Sequence, residues 1–119
     1  MPKPRPLSLA DVRALALALP DTIEKPSYGT PGFRAKDKLF ARVLPEGDRV
    51  IVRTEMDARD ALLEARPAIF SLTPHYEGHP WVIVSLRTVG RTLLRELLEE
   101  ARDLVAPPGK PSAAKKRSK

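Results

Sequence analysis

Apolar residues recur at helical spacing in three stretches of the chain and alternate with polar ones between them. Leu9, Val12, Leu15, Ala16 and Leu19 share one face of a 3.6-residue period and Pro20 stops the run, which predicts a helix over about 9–19. Ser8 is placed to cap it, with Asp11 supplying the acid of a capping box in a shorter form. Residues 21–32 are rich in proline, glycine and small polar side chains and predict a loop. Phe33–Lys36, Leu39–Leu44 and Arg49–Thr54 then predict three strands, joined by turns at Lys36-Asp37-Lys38 and Pro45-Glu46-Gly47-Asp48. Val50, Val52 and Thr54 fall on one face of the third strand and Arg49, Ile51 and Arg53 on the other, as in a sheet covered on one side only. Asp57 and Asp60 repeat the cap pattern and open a helix that runs to Arg66 before Pro67.

The stretch from Leu72 to Leu86 holds both histidines and the only tryptophan. Pro74 and Pro80 bracket a polar tip with Gly78 inside it, and Trp81-Val82-Ile83-Val84 continues as a buried strand. Beyond a turn through Thr88 and Gly90, Leu94, Leu97, Leu98, Ala101, Leu104 and Val105 form the apolar stripe of the longest helix, with Arg95 and Glu99 on its surface. The strand connections are too short for parallel crossovers. The expected fold class is therefore α+β: an antiparallel β-sheet with helices packed on one face, in the order α-β-β-β-α-β-β-α.

Length and composition fit one domain with a modest core, at 119 residues and 42% hydrophobic. Its expected extent is 8–106, between an extended basic arm at 1–7, broken by Pro2, Pro4 and Pro6, and a disordered basic tail at 107–119. The chain has no cysteine, so disulfides and thiolate chemistry are excluded. No apolar run approaches the roughly 20 residues of a membrane span, and the N-terminus lacks the apolar segment of a signal peptide, so a cytoplasmic, monomeric protein is expected. The charge is unevenly placed. With +5 in residues 107–119 and +2 from Lys3 and Arg5, the formal +6 leaves −1 for residues 7–106.

Catalytic signals are sparse. His75 and His79 flank Glu77, but an i, i+4 pair shares a face only on a helix, and Gly78 and Pro80 oppose a helix there; no metal site is expected. Thr73 and His75 would share a strand face and Ser71 is near, yet none sits in a nucleophile motif. Gly29 and Gly32 flank Thr30-Pro31 without a following helix to hold a phosphate, so neither an enzyme nor a bound cofactor is expected. The strongest functional signal is basic. Arg34, Lys36, Lys38, Arg42, Arg49 and Arg53 cluster in the three-strand meander near Tyr28, Phe33 and Phe40, a composition suited to laying cations along DNA phosphates without reading sequence. His75 and His79 would lie at the margin of that surface, and the tail would add affinity at low salt. Basic residues on an exposed sheet also serve solubility and edge protection. A different function, protein interaction or small-ligand binding, would use a pocket near Tyr28, His75, Tyr76 and Trp81.

Several motifs together give a resemblance. Leu19-Pro20, Gly29-Thr30-Pro31-Gly32-Phe33-Arg34, Lys38-Leu39-Phe40-Ala41-Arg42, Thr73-Pro74-His75-Tyr76 and Pro80-Trp81-Val82 make residues 11–107 resemble the MmcQ/YjbR family of small bacterial proteins. The resemblance implies a CyaY-like, double-wing α+β fold and DNA binding through two protruding hairpins. Here those wings would be the turns at Lys36-Asp37-Lys38 and Glu46-Gly47-Asp48, the second carrying two acids.

Overall fold

The computed structural model describes residues 6–107; most of the expected basic arm and tail, residues 1–5 and 108–119, lies outside the described residues. The chain runs as α1 (Leu9–Leu17), β1 (Thr22–Ser27), β2 (Thr30–Ala35), β3 (Lys38–Val43), β4 (Arg49–Arg53), α2 (Met56–Ala65), β5 (Phe70–Ser71), β6 (Trp81–Ser85) and α3 (Arg91–Val105), with a 3-10 turn at Pro74–Tyr76. The strands form one antiparallel sheet in the order β1-β2-β3-β4-β6-β5. The fold is α+β.

Strand alternation sorts the side chains. Phe33, Phe40, Val50, Val52, Val82 and Val84 face the helices and are essentially inaccessible, packed in one cluster with Val12, Leu15 and Ala16 of α1 and Leu94, Leu98 and Ala101 of α3. The cap expected at α1 is formed. The Asp11 backbone N–H donates to Ser8 Oγ at 3.4 Å and the Ser8 backbone N–H donates to Asp11 Oδ2 at 2.9 Å. Arg91 at the start of α3 donates to the other oxygen of that carboxylate at 3.1 Å, so one acid ties the two helices together.

The structure departs from the sequence reading at several points. Residues 22–27, expected as loop, form edge strand β1, paired with β2 from Thr22↔Ala35 to Ser27↔Thr30. Pro26 faces Pro31, a pair that counting from the two-residue turn places at a non-hydrogen-bonded position. The strand has no apolar alternation because its inward-facing Glu24 bonds Arg13 of α1, through Nε–Oε1 at 2.7 Å and Nη2–Oε2 at 2.9 Å. Leu104 is 39% exposed, and Arg102 takes its place on the buried side of α3, its Nε donating to the Pro20 carbonyl at 3.0 Å. Asp57 is not the cap of α2. Glu55 occupies that position without a side-chain bond, and Asp57 sits in the first turn, where its charge opposes the positive end of the helix. The helix expected over 9–19 ends at Leu17, with Leu19 partly buried beyond it.

The hydrogen bond from Arg13 holds the Glu24 carboxyl below its ordinary range, against a smaller opposing effect of burial. A carboxylate lowered in this way contributes stability above its ordinary pKa of about 4.3, and that contribution is lost as pH falls through the lower folded value. Thermal melts of the parent and Glu24→Gln from neutral pH downward should therefore converge at acid pH; a constant difference across the series contradicts the assignment.

Candidate functional site on the open sheet face

The face away from the helices is built from the alternate residues. One row crosses five strands in register, Gly32↔Arg42↔Ile51↔Ile83↔Ser71, and the next pairs Arg53 with Trp81. A small apolar cluster of Leu44, Ile51 and Ile83 forms the floor, because Tyr76 and Trp81 pack over it. Leu39 and Arg42 both reach this face although they lie three residues apart. A bulge makes that possible: Phe33 pairs with Ala41 but Arg34 pairs with Leu39, which leaves Phe40 as the extra residue of β3. Gly32 is needed beside them, since a Cβ there would stand 2.9 Å from Ser27 Oγ and 3.0 Å from Leu39 Cδ1.

The loop between β5 and β6 is held from beneath by Arg59 of α2, which is only 5% exposed. Its Nη1 donates to the carbonyl oxygens of Tyr76 at 3.3 Å, Glu77 at 2.9 Å and His79 at 2.9 Å. Its Nε and Nη2 both donate to Asp60 Oδ1 at 3.2 Å, which gives the buried guanidinium a carboxylate partner at the surface. Local turns complete the loop, with Tyr76 N–H donating to the Thr73 carbonyl and Trp81 N–H to that of His79. The Thr54 N–H donates to the Pro80 carbonyl at 2.9 Å and fastens the end of the loop to β4.

Between this loop and the β1–β2 turn lies a cleft of about 490 Å³. Tyr28 forms one wall, His75, Tyr76 and His79 the other, and Leu39, Arg42, Ile51 and Trp81 the base. Arg42 is central. It donates to Thr30 Oγ1 at 3.0 Å and Tyr76 Oη at 3.2 Å, and its guanidinium lies 5.2 Å from the centroid of the Tyr28 ring. Arg53 stands in the same relation to Trp81 at 5.8 Å, and the His75 and Tyr76 rings meet edge to face at 4.8 Å. Tyr28 is 88% exposed and has φ 53°, in a two-residue turn with Gly29 at φ 84°. A left-handed backbone at a bulky residue costs about 1–2 kcal/mol, and its ring gains little burial in return.

The sequence-derived residues divide on this surface. Arg42, His75 and His79 of the proposed phosphate-contacting set line the cleft, as do all four residues of the pocket reading, Tyr28, His75, Tyr76 and Trp81. Arg53 lies beside them, and Arg34 shares the open face, donating to the Asp37 carbonyl at 3.1 Å and to Ser27 Oγ at 3.4 Å. Lys36 and Lys38 are not brought into the cleft. Lys38 pairs with Ala35, whose side chain is in the helix-side core, and Lys36 borders a separate depression beside Leu17 and Ile23. At the other expected wing, Glu46 and Asp48 pair with Arg49 at 3.2 Å and Arg87 at 3.5 Å. Arg59, Thr30 and Leu39 escaped the sequence reading. A trace of Arg59 was present: it lies three and four residues before Leu62 and Leu63, a charge on the inward stripe of a short helix.

The YjbR family model matches residues 17–104, and the chain belongs to that family. The uncharacterized proteins Mb2600 of Mycobacterium bovis and Rv2570 of Mycobacterium tuberculosis are each 38% identical to it over 64 residues, 53% of this chain and 50% of theirs. The chain thus spans about half the length of the curated relatives it matches. It is also similar to the crystal structure of Deinococcus radiodurans protein DR2400, family-model domain DUF419, with a TM-score of 0.74 and 26% identity over 91% of this chain and 85% of that one.

Removing the guanidinium should act on the loop before it acts on the domain. Arg59→Met should lower stability by about 1.5–3 kcal/mol, the range for hydrogen bonds to a charged group. Amide exchange in residues 73–81 should accelerate more than in α3, as read by hydrogen–deuterium exchange; a uniform change would mean that Arg59 supports the core and not the loop.

Proposed function

We propose that this chain is a non-enzymatic DNA-binding module whose contact surface is the open sheet face. The observation that carries the reading is the convergence of Arg34, Arg42 and Arg53 with Tyr28, Tyr76 and Trp81 on that face. Arginine suits the task because its charge is permanent and its planar fork both grips phosphate oxygens and stacks on rings. His75 and His79 border the same cleft and add donors at its rim. The basic tail, +5 over residues 107–119, contributes phosphate affinity that does not depend on the cleft. The reading asks for no bond-making step. Lys36 and Lys38 contribute less than the cluster of basic residues in sequence suggested, since Lys38 faces the helix side of the hairpin and Lys36 borders a separate depression.

A small-ligand reading has one specific observation in its favour: the cleft, at about 490 Å³, is within the range of about 300–1,000 Å³ typical of ligand sites. The two readings separate on salt dependence. For the full chain carrying Arg34→Gln, Arg42→Gln and Arg53→Gln, the slope of log affinity against log salt for DNA should shrink by up to about 3, one phosphate per lost cation. Affinity at low salt should fall with it, as measured by fluorescence anisotropy. An unchanged slope and affinity would assign DNA binding to the tail and leave the cleft to a small ligand.

A further inference from the structure

The arginines of the open face are half-buried, whereas the Tyr28 ring stands out from it. A protein element that reads duplex DNA must enter a groove about 12 Å wide and 8.5 Å deep in the case of the major groove. Here Arg42 lies at the base of a cleft, behind a wall made by the Tyr28 turn on one side and His75 and His79 on the other. The turn at residues 45–48, one of the two expected wings, carries Glu46 and Asp48.

What the cleft does offer is flat π surface beside a fixed cation. The Tyr28 ring has the Arg42 guanidinium near it and is otherwise 88% exposed, held out by a backbone conformation that tyrosine rarely adopts. Trp81 presents a second ring at the base, with Arg53 alongside. Aromatic platforms of this kind bind bases by stacking, and a base is available for stacking only when it is out of the duplex. A phosphate next to the stacked base would lie within reach of Arg42 or Arg53.

We infer that the cleft takes an unpaired nucleobase with its adjoining phosphate, so that the module binds single-stranded DNA in preference to duplex. The inference rests on the DNA-binding reading above and narrows it.

The test uses the full chain, a short labelled strand of mixed sequence, the same strand annealed to its complement, and unlabelled deoxyadenosine monophosphate as competitor. The single strand should bind at least about tenfold more tightly than the duplex, and Tyr28→Ala should weaken single-strand binding by about tenfold, the effect of losing one stacked base. Tyr28→Phe should restore it, and duplex binding should lose clearly less to Tyr28→Ala than single-strand binding does. Tyr28 is exposed enough that neither variant threatens the fold. Equal affinity for the two DNA forms, or an equal loss in both on Tyr28→Ala, overturns the inference while leaving DNA binding in place. Competition by the mononucleotide as effective as that by unlabelled strand assigns the cleft to free nucleotides and overturns the strand preference. Binding to neither DNA form overturns the DNA-binding reading and the inference with it.

Discussion

The buried guanidinium of Arg59 fixes the loop that forms one side of the candidate site. The segment between β5 and β6 contains two prolines and Gly78 and makes only short-range turns of its own. Arg59 gives it a fixed position by taking three of its carbonyls onto one nitrogen. Burying that charge is unfavourable unless it is fully engaged, and the Asp60 carboxylate with the three carbonyls provides the engagement. The consequence is on the far side of the loop. Tyr76 and Trp81 lie over Ile51 and Ile83, closing an apolar floor that would otherwise be an exposed patch on the sheet.

The sheet is used asymmetrically. Its helix side carries the phenylalanines and valines of the core, and its open side carries arginines and rings on a small apolar base. That division gives a rigid floor under side chains that meet solvent, which is what a binding surface requires. The edges are blunted separately: β1 carries Lys25 and Pro26, and β5 is two residues long. Strand addition at either edge is thereby opposed.

The sequence was most legible where burial follows a simple period. The alternation of Arg49–Thr54, the strand at Trp81, the three helices and the motifs of the YjbR family all have direct counterparts in the structure. It was least legible where a charge stands in an apolar position. Glu24 masks β1, Arg102 displaces Leu104 from the stripe of α3, and Arg59 interrupts the apolar stripe of α2. The bulge at Phe40 is a further case, because one extra residue changes which side chains of β3 share a face. Basic residues close in sequence were thereby divided, with Arg34 and Arg42 on the open side and Lys38 on the other. The pocket residues Tyr28, His75, Tyr76 and Trp81 come together although 53 positions separate the first from the last, because β1–β2 and the β5–β6 loop flank the same stretch of β3 and β4.

Trp81 is the only tryptophan in the chain and forms part of the base of the cleft, so its fluorescence reports on this surface alone. Titrating the full chain with single-stranded DNA while recording both tryptophan emission and the anisotropy of a labelled strand is the most direct test. Occupation of the open face predicts quenching of Trp81 that saturates along the same curve as the anisotropy. Saturating anisotropy with unchanged emission would put the DNA elsewhere on the chain and contradict the account.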